Sequence, residues 1–153
     1  MPIKLKRNYK YKPFCTYNSI YEDPYLRAWS QFMGQFPWQW TVTVTFDRSV
    51  SISVAQSQLL ALLQYHSPSV RYFFVSEPGL SRSLHIHGLL NGMPSHKRLA
   101  LEYELNWKFG KSEIQQYNAE HRWIPYICKY LKKGYGLYFT NLTEEDLLEP
   151  KEG

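Results

Sequence analysis

Alternating polar and apolar positions are clearest in the segment 40-WTVTVTF-46, where threonines alternate with valines and aromatic side chains. Alternation with a period of two is typical of a strand with one buried face, and β-branched residues favour extended backbone. This segment is therefore predicted to be a strand. Less regular patterns predict four further strands, of which 113–119 has the weakest signal: 70–77, 84–90, 113–119 and 135–140.

Helical periodicity is strongest in 54-VAQSQLLALLQY-65, whose leucines form one apolar face. Ser53 precedes this segment and is predicted to be its N-cap, since a serine side chain can accept a hydrogen bond from a free backbone N–H group. Three further helices are predicted from periodicity and end signals: 24–33, ended by Gly34 and Pro37; 96–109, between Ser95 as N-cap and Gly110; and 124–133, with Pro125 in its first turn and Gly134 at its end.

The order of these elements predicts an α+β fold. The strands 70–77 and 84–90 are separated by the turn-like segment 78–83, so they are expected to pair as a hairpin. Helices that lie between antiparallel strands pack on the faces of the sheet. The chain has 153 residues, which suits one domain large enough to bury a core.

Composition adds a preference for polyanionic partners. The net charge is +5, and aromatic residues make up 17% of the chain, so some aromatic rings are available to stack on unpaired bases. The segment 1–12 is basic without any acid, whereas the segment 141–153 is strongly acidic. The basic arm is compatible with a nucleic-acid contact or with a solvated chain terminus.

Cysteine content and hydropathy indicate a reducing compartment and no membrane. Cys15 and Cys128 are too few and too far apart in sequence for a disulfide framework, so both are expected to be reduced thiols. No apolar run approaches the roughly 18 residues that a spanning helix requires. A soluble protein of the cytoplasm is expected, in a prokaryotic host most readily, or of the nucleus if the host is eukaryotic.

The segment 84-LHIHGLL-90 contains the first candidate chemistry. On a strand, His85 and His87 share one face while Ile86 points to the other. Glu77 ends the preceding strand and is expected to lie beside them. Two imidazoles and one carboxylate suit a divalent ion, Mg²⁺ or Mn²⁺ where phosphate is the ligand, although Zn²⁺ also accepts this set. Two histidines on a solvated sheet face and a solvated Glu77 remain the alternative.

The second candidate is the helical segment 126-YICKYLKK-133. Helical spacing places Tyr126, Lys129, Tyr130 and Lys133 on one face, and phenols together with ammonium groups can bind or attack phosphate. A tyrosine nucleophile needs help at neutral pH, because the ordinary pKa of a phenol is about 10. An ordinary amphipathic helix with a buried Ile127 is the alternative explanation.

In their order along the chain, 41-TVTVTF-46, Glu77 with 85-HIH-87, and 126-YICKYLKK-133 resemble the HUH endonucleases of rolling-circle replication. The likeness is greatest to initiators with a double Tyr-x-x-Lys motif, and it spans residues 40–134. The resemblance implies an antiparallel palm of about five strands that nicks one DNA strand. Its implied domain limits are a basic arm and short helix at 1–36, a nicking domain at 37–140 and an acidic tail at 141–153.

The resemblance also implies roles for individual residues. Tyr126 matches the nucleophile, Tyr130 the second tyrosine, and Lys129 the motif lysine. His85, His87 and Glu77 match the ligands of a divalent Mn²⁺ or Mg²⁺ ion. Further basic residues are candidate contacts to DNA: Lys132, Lys133, Arg82, Lys6 and Arg7.

The expected function is nicking and rejoining of a single-stranded replication origin through a 5′-phosphotyrosyl intermediate, in a plasmid or a virus. The sequence has no Gly-x-x-x-x-Gly-Lys-Ser/Thr loop, so a separate helicase and a host polymerase are the expected partners. Relaxases and transposases of the same superfamily are near alternatives. From other classes, a catalytically silent module that binds single-stranded nucleic acid and a zinc enzyme acting on small molecules are both retained.

Overall fold

The computed structural model describes residues 24–78, 84–132 and 137–143. Within these ranges it contains four α-helices, one short 3-10 helix and five strands. In chain order they are α1 (Pro24–Met33), β1 (Trp40–Thr45), α2 (Ile52–His66), β2 (Arg71–Pro78), β3 (Leu84–Asn91), α3 (Ser95–Lys108), β4 (Ser112–Gln116), the 3-10 helix Ala119–His121, α4 (Trp123–Lys132) and β5 (Leu137–Thr140).

The described strands form one antiparallel sheet in the order β4-β1-β3-β2-β5. The central strand β3 pairs with β1 on one side and with β2 on the other. Helices flank the sheet, so the predicted α+β fold with about five antiparallel strands is confirmed. The predicted hairpin pairing of β2 with β3 is also confirmed, while the connecting residues 79–83 lie outside the described ranges.

One face of the sheet is buried beneath α2 and α3, and we call it the closed face. The apolar positions of β1 alternate onto this face, and its threonines onto the other, as the sequence pattern predicted. Aromatic pairs such as Tyr72 with Phe74 and Phe46 with Phe109 fill the space between sheet and helices. The following side chains belong to this core: Trp40, Val42, Val44, Leu59, Leu62, Leu63, Ile86, Leu90, Leu101, Leu105 and Ile114.

The opposite face, which we call the site face, is covered in part by α1 and α4. These two helices pack against each other, and α4 also lies on β2. A second apolar cluster fills that half: Trp29, Phe32, Met33, Trp38, Phe73, Val75, Leu89, Ile124, Ile127 and Cys128. The burial of Ile127 agrees with the amphipathic pattern of the helix.

The remaining half of the site face is formed by β1 and β4, and we call it the polar strip. The register pairs Thr43 with Glu113 and Thr41 with Gln115, so these side chains share one face with Thr45. The threonines are half-exposed, and both Glu113 and Gln115 are exposed. The polar strip therefore adjoins the covered half along β3.

Two predicted helix caps are wrong. The N-cap of α2 is Ser51, whose Oγ accepts a hydrogen bond from the Val54 N–H at 3.3 Å, and Ser53 lies inside the first turn. Both serines precede the apolar run, but Ile52 packs against the core and so starts the helix earlier. The N-cap of α3 is Pro94, with φ −63° and no side-chain hydrogen bond, so Ser95 is already helical.

Other element limits differ by a few residues. Helix α4 starts at Trp123, one residue before the prediction, with Pro125 in its first turn as expected. The strand predicted at 113–119 is shorter, because the chain leaves the sheet after Gln116. The predicted cap Gly134 and the first two residues of the strand predicted at 135–140 lie outside the described ranges.

Helix length and cysteine state can be compared directly with the sequence. None of the described helices is both long and apolar enough to cross a membrane. Cys128 is a free, buried thiol, as predicted, while Cys15 lies outside the described residues.

Candidate functional site

Strand β3 presents both histidines on the site face. Ile86 is fully buried on the closed face, so its neighbours His85 and His87 must point the other way. The two imidazole rings are nearly parallel, with an interplanar angle of 7° and centroids 6.3 Å apart. His87 is buried beneath the edge of α4, whereas His85 is half-exposed toward solvent.

Glu77 reaches the same place from β2. The register sets Glu77 opposite His85, and its Oε2 atom lies 3.0 Å from Nε2 of His87. The carboxylate therefore fixes the orientation of the His87 ring by a hydrogen bond or, when the ring is protonated, by an ion pair. The predicted meeting of Glu77 with the two histidines is confirmed.

Thr45 holds the second histidine. Its Oγ1 atom lies 3.2 Å from Nδ1 of His85, and the two residues are partners in the β1–β3 register. A hydrogen bond at Nδ1 leaves Nε2 of His85 as the ring nitrogen on the opposite side. The sequence analysis gave this threonine no role. Alternation did put it on a polar face, but that pattern does not reveal the partner across the sheet.

Position 88, directly after His87, is occupied by glycine because the structure has no room there for a side chain. A Cβ atom at this position would overlap the ring of Phe74 on the closed face. The glycine therefore lets an aromatic ring pack directly on β3. Its carbonyl oxygen accepts a hydrogen bond from Nε1–H of Trp123 at 3.0 Å.

A tight backbone turn leads into α4. Asn118 caps the 3-10 helix by accepting a hydrogen bond from the Glu120 N–H at 2.9 Å. Arg122 then adopts a left-handed conformation with φ 60°, which is uncommon for a residue with a side chain. The helix begins at the next residue, and its buried side chains Ile124 and Ile127 anchor it to the sheet.

Tyr126 is the candidate nucleophile, and α4 brings it to His87. The phenol ring meets the imidazole edge-to-face, with centroids 5.5 Å apart and an interplanar angle of 87°. The side chain is half-buried, so one part packs against the protein and another faces solvent. The structure therefore brings together Tyr126, His87, Glu77 and His85, which the sequence analysis had selected from three separate segments.

Trp123 is a site residue that the sequence analysis missed. Its indole ring stacks on Tyr126 with centroids 5.4 Å apart, and it also meets the His87 ring edge-to-face at 5.8 Å. The only sequence signal was its spacing of three residues from Tyr126, which puts both rings on one helical face.

The remaining predicted site residues lie outside the residues or side chains that the structure describes. Helix α4 includes Lys129, Tyr130 and Lys132, but their side chains are not described. Arg82, Lys133, Lys6 and Arg7 lie outside the described ranges altogether. Their proposed roles therefore stay predictions.

The residue types at the site suit a divalent ion, but their side chains do not converge on one point. Among the described residues, no group of three or more His, Cys, Asp or Glu side chains is arranged to hold a metal ion. Glu77 instead uses Oε2 to bind Nε2 of His87. A metal held by His85, His87 and Glu77 would therefore replace that hydrogen bond.

Beneath α4 the environment is apolar. Cys128 lies fully buried between α1 and α4, and this burial raises the pKa of its thiol to about 12. At neutral pH the thiol is protonated and serves as a packing group rather than as a nucleophile.

A comparison with protein-family models gives a match to this chain. The model of the family described as replication-associated protein ORF2/G2P matches residues 39–135. The matched segment includes the whole site, from the threonines of β1 to α4, and leaves out α1. A comparison with curated proteins found no match. Since the family match spans more than half of the 153 residues, this chain belongs to the replication-associated protein ORF2/G2P family, which indicates a role in initiating replication.

Proposed function

We propose that this protein is a metal-dependent endonuclease and strand transferase that nicks a single-stranded replication origin and remains linked to it through a 5′-phosphotyrosyl bond. The observation that carries the proposal is the contact of the Tyr126 ring with His87, 5.5 Å between centroids, in a site that also contains Glu77 and His85. A nucleophilic phenol beside two imidazoles and a carboxylate suits phosphoryl transfer better than it suits packing alone.

The polar strip is the proposed path for the DNA strand. It leads to His85 and His87 along β1, whose threonines are half-exposed. The Thr43 hydroxyl can donate a hydrogen bond to a phosphate oxygen without selecting a base, whereas the Thr41 hydroxyl donates to the Gln115 carbonyl and that of Thr45 contacts His85. The net charge of +5 adds a general attraction for a polyanion.

In the proposed reaction, the phenol oxygen of Tyr126 attacks the phosphorus atom of one phosphodiester. The new bond joins Tyr126 Oη to phosphorus, the bond from phosphorus to the 3′ oxygen breaks, the phenol proton passes to water and the 3′ oxygen acquires a proton. The energy of the phosphodiester is kept in the tyrosyl ester, so the freed 3′ hydroxyl can reverse the step and rejoin the strand.

The other residues support this attack. His87 contacts the phenol ring, and Glu77 and Thr45 orient the two imidazoles. A divalent Mn²⁺ or Mg²⁺ ion held by His85, His87 and Glu77 would supply charge neutralisation at the scissile phosphate. The positive end of the α4 dipole lies at the first turn of the helix, where Tyr126 is located, and it favours an anionic phenolate.

Roles outside this geometry follow from the sequence motif. Lys129 is proposed to stabilise the developing charge, and Tyr130 to act as a second nucleophile when the strand is closed. Lys132, Lys133, Arg82, Lys6 and Arg7 are proposed to contact the DNA backbone. A separate helicase and a polymerase complete the proposed reaction sequence, because the given sequence has no full Gly-x-x-x-x-Gly-Lys-Ser/Thr loop: Leu105 stands where the first glycine before Gly110-Lys111-Ser112 would be.

The test is covalent capture of DNA. The protein is incubated with single-stranded oligonucleotides of randomised sequence, with Mn²⁺ or with a chelator, and adducts that survive denaturation are sequenced and mapped by mass spectrometry. We expect a metal-dependent adduct on the peptide containing Tyr126, and none with Tyr126→Phe. Tyr103→Phe is the matched control, because Tyr103 is exposed on α3 at the closed face.

Two outcomes would contradict the proposal. Adduct formation that persists in Tyr126→Phe would exclude this residue as the nucleophile. Retention of single-stranded DNA without any adduct, over all sequences and several metals, would favour the silent binding module instead.

A further inference from the structure

The side chain of Trp123 touches three parts of the site at once. Its indole stacks on the Tyr126 ring at an interplanar angle of 22°, and it meets His87 edge-to-face. Its Nε1–H group donates to the Gly88 carbonyl of β3 at 3.0 Å. The candidate nucleophile, the histidine and the strand that carries it are therefore linked through one ring.

The backbone before α4 determines where this ring sits. Arg122, with its left-handed φ of 60°, turns the chain so that the very next residue starts the helix. Trp123 and Tyr126 are three residues apart on a helix, a spacing at which side chains are neighbours. Because the indole is itself fixed to β3 by a hydrogen bond, it links α4 to the sheet beside Tyr126.

A nucleophilic side chain that a neighbour already holds in one rotamer loses less conformational entropy when it reacts. A half-buried phenol on a helix can occupy more than one staggered rotamer, and the observed one places the Tyr126 ring against His87. A flat ring stacked on one side of the phenol disfavours rotation away from that rotamer. Small displacements of a reacting group are costly, since misplacement by about 1 Å can slow a reaction roughly 100-fold.

We propose that Trp123 is a positioning residue that holds the Tyr126 ring in its attacking orientation by stacking on it, while its N–H bond to Gly88 fixes the indole on the histidine strand. This inference rests on the proposed function for its catalytic consequence. The stacking contact itself can be tested without catalysis.

The experiment compares Trp123→Leu, which removes the aromatic ring, with Trp123→Phe, which keeps a ring but removes the N–H donor. Single-turnover nicking at saturating oligonucleotide is measured alongside the affinity for the same oligonucleotide and the melting temperature. We expect Trp123→Leu to slow nicking roughly 10- to 100-fold with affinity unchanged, and Trp123→Phe to recover most of the rate. Trp107→Leu is the control, since Trp107 is 79% exposed on α3.

Three results would overturn the inference. The first is a wild-type nicking rate in Trp123→Leu. The second is a loss of affinity with an unchanged rate at saturating oligonucleotide, which would make Trp123 a DNA contact. The third is equal slowing in the Phe and Leu variants. A variant that lowers the melting temperature is measured well below its transition, so that unfolding does not contribute to the rate.

Nuclear magnetic resonance separates this inference from the proposed function. In metal-free protein with labelled tyrosine rings, the Tyr126 signals are identified by their loss in Tyr126→Phe. Stacking on an indole displaces these signals upfield, and we expect Trp123→Leu to remove that displacement. If the wild-type protein forms no adduct, the proposed function fails while this spectrum still decides the contact; unchanged Tyr126 signals in Trp123→Leu would overturn the contact whatever the activity.

Discussion

The two faces of the sheet differ in polarity and in how far helices cover them, although the same strands form both. The closed face is mainly apolar, with Ser76 and Ser112 as buried polar exceptions, and is covered by α2 and α3. The site face is apolar only where α1 and α4 cover it, and the rest is the polar strip. A sheet with both faces fully covered leaves no room for a nucleic-acid strand, whereas an antiparallel sheet can be packed on one face and solvated over part of the other.

Strand β3 shows the division most sharply. Ile86 is fully buried on the closed face, while its neighbours His85 and His87 lie on the site face. Helix α4 repeats this division in one turn, because Ile127 is buried under it while Tyr126 is only half-buried at its edge. The candidate site therefore lies where the second apolar cluster ends: His87 is buried there, whereas His85 and Tyr126 are partly exposed.

The largest effect should come from adjacent substitutions on β3. Ile86→Ala removes a fully buried side chain and is expected to lower the free energy of unfolding by about 2–5 kcal/mol. His85→Ala removes a half-exposed side chain and one hydrogen bond, so about 1 kcal/mol or less is expected, together with loss of DNA adduct formation. Urea denaturation measures the first quantity, and covalent capture the second.

Equal destabilisation by the two variants would contradict the division between faces. It would mean that the polar half of the site face contributes as much to stability as the core. The slope of unfolding free energy against urea serves as the control, because an unchanged slope shows that both variants unfold the same structure.

Sequence pattern predicted the faces well and the contacts across them poorly. The alternation in β1 and the His-Ile-His spacing in β3 decide which residues share a face, and both were read correctly. The pairing of Thr45 with His85 depends on register between segments 40 residues apart, which no local pattern contains. Ser51 and Ser53 are equally good caps by composition, and the burial of Ile52 selects between them.

Trp123 is the most instructive omission. Its contact with Tyr126 is local to α4, but its hydrogen bond to Gly88 depends on how that helix lies on the sheet. Glu77 was easier to predict, because a hairpin brings the end of one strand close to the start of the next. The site was therefore predictable where connections are short, and unpredictable where helices dock on strands.

Thr45→Val should have a smaller effect that is confined to the site face. Valine keeps the β-branched shape that suits a strand but removes the Oγ1 atom that binds Nδ1 of His85. We expect nicking to slow roughly 10-fold, as for other groups that orient a histidine, with stability changed by about 1 kcal/mol or less. Single-turnover nicking of an oligonucleotide identified by covalent capture measures the rate.

Thr43→Val is the matched control for Thr45 when nicking is measured at saturating oligonucleotide, where a lost DNA contact at Thr43 changes the affinity and not the rate. Thr43 lies on the same strand and face, two residues away, and its register partner is His87 rather than His85. If both variants slow nicking equally, the effect would come from general loss of polarity in the strip. A normal rate in Thr45→Val would show that its hydrogen bond does not orient His85 for the reaction.

The smallest predicted effect concerns the covered half of the site face, where Cys128 is buried between α1 and α4. Burial raises the pKa of this thiol to about 12, whereas its ordinary value, which applies in the unfolded chain, is 9.0. Between these values the unfolded chain loses the proton and the folded protein keeps it, so stability falls as pH rises from the unfolded value through the folded one. Between pH 8 and 9 this thiol should lower the free energy of unfolding by roughly 0.4 kcal/mol. Urea denaturation of wild type and Cys128→Ala at pH 7, 8 and 9, in the presence of a reductant, isolates that contribution as a difference in the slope of unfolding free energy against pH.

Cys128→Ala should be less stable at pH 7 because it leaves a cavity, yet it should lose less stability on going to pH 9. Parallel pH dependence in the two proteins would mean that solvent reaches the thiol, and hence that α1 and α4 cover this half of the face less completely than α2 and α3 cover the closed one.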